Sequence, residues 1–262
     1  MSQIQDAKRV VIKIGTSTLA YATGRINIRR FELLCKVLAD LKNSGKEIIL
    51  VSSGAIGVGV SKLGLPERPR DVPGKQAAAA VGQCELMYLY DQLFLERNHK
   101  VAQVLLTRDA FEDPRRRQNM KNTFDRLLSL GAIPIVNEND TVATEELEFG
   151  DNDTLSAQVA ELTEADALVI LSDIDGLYDS DPNKNPDAKL IAQVDRIDEH
   201  IESIAGGSVS GLGTGGMTTK IHAAKITSAA GIIMAIINGS DPKLLYDLFD
   251  GMSVGTLFLA NK

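Results

Sequence analysis

The chain has 262 residues, of which 44% are hydrophobic and 24% charged, as is typical of a globular protein with a sizeable core. Lysine and arginine total 28 against 35 aspartate and glutamate residues, so the formal net charge at pH 7 is −7. This balance argues against a nucleic-acid-binding protein, whose binding face is usually basic. The basic run at residues 115–117 follows Asp113-Pro114, and a solvated helix explains it better than a polyanion patch.

The N-terminal sequence MSQIQDAKRVVIKIG contains no long apolar segment, so we expect no signal peptide. No apolar run approaches the length of a membrane span, and we expect no membrane association. The two cysteines, Cys35 and Cys84, lie in helical patterns without the spacing of metal ligands. Reduced thiols in a cytoplasmic protein are the simplest interpretation.

Short runs rich in valine and isoleucine alternate along the chain with helical patterns. Strands are predicted at residues 10–14, 47–51, 101–106, 132–136, 167–171 and 232–237, and helices at residues 27–45, 75–97 and 115–130. Nearly continuous apolar strands separated by helices predict a three-layer α/β/α sandwich around a central, mostly parallel open sheet. No repeat or linker divides the chain, so residues 1–262 are expected to form a single domain, with the turn-rich segment 178–190 as an excursion.

The chemically unusual residues follow the predicted strands, where open parallel sheets bind ligands. Lys13 interrupts the first strand just before Gly-Thr-Ser. Its amine must either reach solvent, as on a strand at the side of the sheet (an edge strand), or meet an anion. Ser53 belongs to the turn SSGAIG after the second strand, where the serines either cap a helix or help its N-terminus to receive an anion. The fifth strand leads into Ser172 and Asp173, in a loop suited to lining a nucleoside pocket.

Two clusters of asparagine and aspartate, at residues 137–144 and 150–160, include Asp140, Asn152 and Asp153. Some of these side chains are expected to form turns and caps. Together they are also suited to holding a cation or the ammonium group of a polar substrate, although neither cluster has the spacing of an EF-hand.

The stretch SGLGTGGMTTKIHAAK, residues 210–225, combines a glycine-rich turn with threonines and Lys220 at a helix start. Its order differs from that of the P-loop, G-x-x-x-x-G-K-[ST]. If Lys13 and Lys220 meet at the sheet edge, they can neutralise the charge on a phosphate during its transfer. A carboxylate between two lysines keeps both charged and oriented, and Asp153 is the candidate for it.

In this order, the motifs resemble those of the glutamate 5-kinase family of the amino acid kinase superfamily. The resemblance rests on VIKIGTS, VSSGAIGVG, AAVGQ, VNENDTVAT, GDNDTLSA, LSDIDGLYDSDP and GLGTGGMTTK, and it extends almost over the whole chain, to SVGTLF at 253–258. It implies ATP-dependent phosphorylation of the γ-carboxylate of L-glutamate to L-glutamyl 5-phosphate, the first step of proline biosynthesis. Many members carry an additional C-terminal domain, and this sequence resembles the short form without it.

The resemblance also implies roles for single residues. Lys13 and Lys220 would act on the ATP phosphates, with Asp153 organising both, while Ser53, Asp140 and Asn152 would bind glutamate. The nucleotide side would comprise Lys13, Ser172, Asp173, Thr214, Gly215, Gly216, Met217, Thr218, Thr219 and Lys220. Residues up to about 160 would mainly bind glutamate, and the later part ATP.

Magnesium would accompany ATP, held mainly by phosphate oxygens and water. The implied partners are L-glutamate, ATP and proline as a feedback inhibitor, in a homo-oligomer.

Two alternatives to this function stay open at this point. One keeps the fold with another acceptor, as in aspartate, N-acetylglutamate, carbamate or UMP kinases. The other is a non-catalytic sensor of amino acids or nucleotides.

Overall fold

The computed structural model describes residues 4–21, 25–142, 152–182, 184–206 and 216–260. Within these ranges the strands are β1 Arg9–Ile14, β2 Glu47–Ser52, β3 Lys100–Leu106, β4 Ala132–Glu138, β5 Ala167–Ser172, β6 Gln193–Val194, β7 Ile233–Asn238 and β8 Thr256–Phe258. The helices are α1 Thr16–Leu19, α2 Ile28–Asn43, α3 Ala55–Leu63, α4 Val72–Leu95, α5 Asp109–Glu112, α6 Pro114–Ser129, α7 Asn152–Leu162, α8 Glu199–Ala205, α9 Met217–Ala229 and α10 Leu244–Phe249, preceded by a 3-10 turn at Ile4–Asp6.

The eight strands form one sheet in the order β3-β4-β2-β1-β5-β7-β8-β6. Neighbours from β3 to β7 pair in parallel, whereas β8 runs antiparallel to β7, and β6 pairs in parallel with β8. The mostly parallel sheet predicted from the sequence is therefore confirmed. The first strand lies near the middle, between β2 and β5, so the alternative of Lys13 on an edge strand is wrong.

Alternate residues of β1 point into two separate cores on opposite faces of the sheet. Val10, Ile12 and Ile14 pack in the core formed with α2, α3, α4 and α10. Val11 packs in the core formed with α6, α7, α8 and α9. Helices thus cover both faces, which explains why the central strands are apolar throughout instead of alternating with polar residues. None of the described helices combines the length and apolar composition needed to cross a bilayer.

All six predicted strands are present, and their ends lie within two residues of the predicted bounds. The sequence missed the short strands β6 and β8, which have two and three residues and too little pattern to detect. The basic run at 115–117 opens α6 as expected, and the side chain of Asp113 caps that helix through the amides of Arg115 and Arg116. Segment 178–190 is an excursion closed by a bridge between Tyr178 and Leu190.

Candidate active site

The carboxyl ends of β1, β2, β4 and β5 bring the residues predicted to carry the chemistry to one edge of the sheet. Parallel pairing places these ends side by side, with Lys13 opposite Val51 on one neighbour and Ile170 on the other. Helix α7 contacts β1, β2, β4 and β5, and its first residues are Asn152 and Asp153. The N-terminus of α7 therefore lies where the predicted site residues converge.

Lys13 and Lys220 both contact the carboxylate of Asp153. The Lys13 Nζ lies 2.7 Å from Oδ1, and the Lys220 Nζ lies 3.2 Å from Oδ2. The hydroxyl of Thr219 lies 2.9 Å from the same Oδ2 and 2.8 Å from the carbonyl oxygen of Gly216. Three separate elements, β1, α7 and α9, thus meet in one cluster of two cations and one anion. We call Lys13, Asp153 and Lys220 the lysine–aspartate cluster.

This cluster is buried: Asp153 is fully inaccessible, and Lys13 and Lys220 are 7% and 5% exposed. Burial alone would raise the pKa of the Asp153 carboxyl, but the positive charges of Lys13 and Lys220 outweigh it and hold that pKa below the ordinary value. The carboxylate is therefore ionised at neutral pH. The two ammonium groups exceed its charge by one, so the cluster presents a net positive charge to an anion arriving at the sheet edge.

A second set of side chains links Ser53 to Asn152. The Asn152 Nδ2 lies 2.8 Å from the Ser53 Oγ, 3.0 Å from the carbonyl oxygen of Ser52 and 2.9 Å from Oδ1 of Asn137. The Asn137 Nδ2 in turn donates to the Gln83 Oε1 at 2.9 Å.

The serines do not cap α3, because Gly54 occupies its N-cap position at φ 103° without a side-chain hydrogen bond. Instead, the Ser52 hydroxyl bonds that of Tyr90 at 2.8 Å.

The predicted nucleotide residues lie at the ends of β5 and α9. Ser172 is buried and Asp173 exposed, and the Ser172 Oγ lies 3.2 Å from the Asp173 Oδ1. Gly216 is the N-cap of α9, whose first residues are Met217, Thr218, Thr219 and Lys220. Thr214 and Gly215 lie outside the described residues. Asp140 is half-buried in the turn after β4, so it lies at the same sheet edge.

The sequence assigns no role to Gln83 and none to Asn137 beyond its membership of the cluster at 137–144, although both are buried in the network around Asn152. In the sequence, Gln83 stands at the end of the motif AAVGQ. A polar glutamine that follows the alanine-rich part of a predicted helix is the feature of the sequence that could have marked Gln83 as a buried polar residue. Asn137 lay in the NEND cluster, where nothing in the sequence distinguished it from its neighbours.

Among the residues that the structure describes, no three histidine, cysteine, aspartate or glutamate side chains gather as a metal site would require. The free thiols of Cys35 and Cys84 lie on α2 and α4, one buried and the other exposed. Among the described residues, the functional groups at this edge of the sheet are amines, carboxylates, amides and hydroxyls.

The model of the amino acid kinase family matches residues 8–238, a range that includes the whole lysine–aspartate cluster. This chain belongs to the amino acid kinase family. Among its relatives in that family, glutamate 5-kinase of Clostridium perfringens is 53% identical over 99% of this chain and 98% of the relative. Glutamate 5-kinase of Enterococcus faecalis is 51% identical over 98% of this chain and 97% of the relative.

Solved structures of amino acid kinase fold support the same architecture at much lower identity. Carbamate kinase from Giardia lamblia bound to AMP-PNP aligns with a TM-score of 0.69 at 18% identity, covering 98% of this chain and all of that one. UMP kinase from Bacillus anthracis aligns with a TM-score of 0.66 at 20% identity, covering 98% of this chain and 97% of that one. At these identities the likeness establishes the fold alone.

Proposed function

We propose that this chain phosphorylates the γ-carboxylate of L-glutamate with ATP, giving L-glutamyl 5-phosphate and ADP, the first step of proline biosynthesis. Relatives that are more than half identical over nearly their whole length are glutamate 5-kinases. The observation that carries the proposal in the structure is the lysine–aspartate cluster, in which two buried ammonium groups flank one carboxylate at the sheet edge. Phosphoryl transfer depends mainly on such positioning and charge neutralisation.

On the acceptor side, Ser53, Asp140 and Asn152 would bind glutamate. Asp140 would face the ammonium group of the amino acid, because it is a carboxylate half-exposed at the sheet edge. Ser53 and Asn152 are already joined by a hydrogen bond of 2.8 Å, so they would act as one subsite.

On the donor side, Lys13 would contact the ATP phosphates and Lys220 the phosphoryl group in transit. Ser172 and Asp173 would line the nucleoside pocket, and residues 214–220 would form the phosphate loop. Magnesium would accompany ATP and neutralise phosphate charge, with phosphate oxygens and water as its main ligands, which suits a site without a gathered set of protein ligands among the described residues.

The reaction would be a direct in-line transfer. An oxygen of the glutamate γ-carboxylate forms a bond to the γ-phosphorus as the bond from that phosphorus to the β,γ-bridging oxygen breaks, and the electron pair leaves with ADP. The attacking carboxylate is already ionised at neutral pH, so no general base is needed. Asp153 fits a role in orientation, since its carboxylate is occupied by two lysines and its pKa is lowered.

The strand order supports a division of labour within a single domain. Strands β2 and β4, which precede the proposed glutamate residues, lie on one side of β1, and strands β5 and β7 lie on the other. Residues up to about 160 would mainly bind glutamate and the later part ATP, with Lys13 on the strand between them. We further propose a cytoplasmic homo-oligomer with proline as feedback inhibitor.

A coupled assay of ADP release tests this function. The chain is supplied with ATP, magnesium and a panel of acceptors containing glutamate, aspartate, N-acetylglutamate, carbamate and UMP, each with and without proline. We expect turnover that requires glutamate and yields an acyl phosphate that hydroxylamine traps. Turnover with another acceptor in place of glutamate, or nucleotide binding without turnover, would contradict the proposal.

A further inference from the structure

The buried amides of Gln83 and Asn137 connect helix α4 to the Ser53–Asn152 pair. Gln83 and Asn137 are 9% and 3% exposed, so each must find hydrogen-bond partners within the protein. The chain of contacts runs from Gln83 Oε1 to Asn137, then to Asn152, and ends at the Ser53 hydroxyl. None of the roles proposed above uses Gln83.

Two main-chain groups of fixed polarity determine which way every amide in this chain is turned. The backbone N–H of Glu138 donates to Asn137 Oδ1 at 2.9 Å, so that atom must be the oxygen and not the NH₂ group. The carbonyl oxygen of Ser52 accepts from Asn152 at 3.0 Å, so Asn152 must present its Nδ2 there. A flipped Asn137 would place its NH₂ group against the N–H of Glu138, and a flipped Asn152 would place its oxygen against the carbonyl oxygen of Ser52. Neither amide can therefore be turned the other way.

The same logic fixes Gln83 at one end of the chain. Because Asn137 Oδ1 faces Glu138 and Asn152, its Nδ2 is the group directed at Gln83, which must therefore present Oε1. If Gln83 could not accept, a buried NH₂ group of Asn137 would lose its partner, at a considerable cost in free energy.

At the other end of this chain of contacts, the Nδ2 group of Asn152 donates to the Ser53 hydroxyl. The two hydrogens of Asn152 Nδ2 are shared among Asn137, Ser52 and the Ser53 Oγ. A serine hydroxyl that accepts this bond keeps its own hydrogen to donate elsewhere. The Ser53 hydroxyl is thus set as a donor, the polarity that a carboxylate ligand requires, while Asn152 Oδ1 stays an acceptor for an ammonium group.

We infer that Gln83 is a positioning residue for the acceptor subsite: by accepting from Asn137 it holds in place the amide that receives Asn152, and so keeps the Asn152–Ser53 pair where the Ser53 hydroxyl can donate to a carboxylate of the substrate. The inference rests on the proposed function, because it takes the occupant of this subsite to be an amino acid with a carboxylate. Gln83 itself needs no contact with substrate for this role.

The test replaces Gln83 by methionine, which has similar length and no amide oxygen. We expect the KM for glutamate to rise about tenfold, the change that a lost buried hydrogen bond produces, while the KM for ATP stays within about twofold. The matched control is Gln92→Met, an exposed glutamine on the same helix, for which both constants should stay near wild type. Thermal unfolding checks that each variant is folded, and Gln83→Leu serves as the second apolar variant.

A double-mutant cycle with Ser53→Ala then asks whether Gln83 acts through Ser53. We expect Ser53→Ala to raise the KM for glutamate and the double variant to raise it by clearly less than the product of the two single effects, because one of the groups that Gln83 holds in position, the Ser53 hydroxyl, is gone. Multiplying effects, an equal loss for ATP and glutamate, or no effect of Gln83→Met and Gln83→Leu would overturn the inference. These results are distinct from an inactive wild-type chain, which would overturn the proposed function itself.

Discussion

Asp153 is a buried carboxylate that would be costly in the core without partners, and both partners come from distant parts of the chain. Lys13 precedes it by 140 residues and Lys220 follows it by 67, yet their ammonium groups lie 2.7 and 3.2 Å from its two oxygens. Thr219 adds a hydroxyl 2.9 Å from Oδ2. At the residue scale, the cluster is both a structural ion pair and the proposed catalytic centre.

Lys220→Ala should reduce glutamyl phosphate formation at least about a hundredfold, because it removes a cation proposed to stabilise the transferring phosphate. The fold should persist, since Asp153 keeps Lys13 as a partner. Steady-state kinetics and circular dichroism measure the two effects. Lys225→Ala, an exposed lysine on the same helix paired with Glu202, is the control and should stay near wild type. Near-normal turnover by Lys220→Ala would contradict the assignment.

The lowered pKa of Asp153 also predicts a pH dependence of stability. Its folded-state pKa lies below the unfolded value of 3.8, so the folded state binds fewer protons, and the stabilisation is complete above about pH 5. It is lost as the pH falls below about 4 and passes through the lowered pKa.

Asp153→Asn should lower the free energy of unfolding at pH 7 by about 3 kcal/mol, since two buried ammonium groups lose their counter-charge. The fall in stability between about pH 5 and pH 3 should then be shallower than in the wild type. Denaturant titrations across this range measure both, with the exposed Asp91→Asn on α4 as control. An unchanged slope in Asp153→Asn would show that this carboxylate is not the group concerned.

At the scale of elements, α3 and α4 pack so closely that two glycines are needed between them. A Cβ on Gly59 would lie 1.8 Å from the carbonyl oxygen of Ala78, and one on Gly82 would lie 1.8 Å from that of Ala55. Because these obstacles are backbone atoms, they cannot move aside as a side chain can. Helix α3 starts just after the Ser53 turn and α4 carries Gln83, so this contact sets the distance between two parts of the proposed site.

Gly82→Ala should therefore force the two helices apart and lower the free energy of unfolding by about 2 kcal/mol. For a chain of this size that corresponds to a drop of several degrees in the melting temperature, measurable by calorimetry. Gly206→Ala is the control, because a Cβ there meets its nearest atoms at 3.7 Å and the backbone at φ −69° accepts any residue. Equal melting temperatures for the two variants would refute the packing argument.

At the scale of the whole molecule, the strand order assembles the site from both halves of the chain. Strands β3, β4 and β2 lie on one side of β1 and strands β5, β7, β8 and β6 on the other. The proposed glutamate and ATP subsites therefore occupy neighbouring parts of one sheet edge, joined by Lys13 and Asp153.

This arrangement predicts separable stabilisation by the two substrates. At one hundred times its Kd, each ligand should raise the free energy of unfolding by about 2.7 kcal/mol. Ser53→Ala should weaken the thermal shift given by glutamate but not that given by a non-hydrolysable ATP analogue, and Asp173→Ala should do the reverse. Thermal shift titrations measure both, with Gln92→Met as control. Equal loss of both shifts in either variant would contradict the division.

Six of the eight described strands, the order of the loops and the residue types at the strand ends can be predicted from the sequence alone. Val10, Val11 and Ile12 form a continuous apolar run because β1 is covered on both faces, so the run alone predicts the strand. The other motifs are also local: Lys13 interrupts an apolar strand, Asn152 belongs to a cluster of asparagine and aspartate, and Lys220 follows a glycine-rich turn. Patterns of this kind depend only on residues that are close together in the chain, so the sequence shows them without knowledge of the fold.

Which polar side chains meet, and which of two partners donates the hydrogen bond, depends on the fold. No spacing in the sequence links Gln83 to Asn137, or Asn152 to Ser53, because these contacts span 54 and 99 residues and join helices α4 and α7 to the ends of β4 and β2. Serine capping of α3, one of the two alternatives for that turn, is wrong for the same reason: Tyr90 and Asn152, both remote in sequence, bond the two serines. Hydrogen bonds depend on the direction and distance of individual atoms, which the fold alone sets.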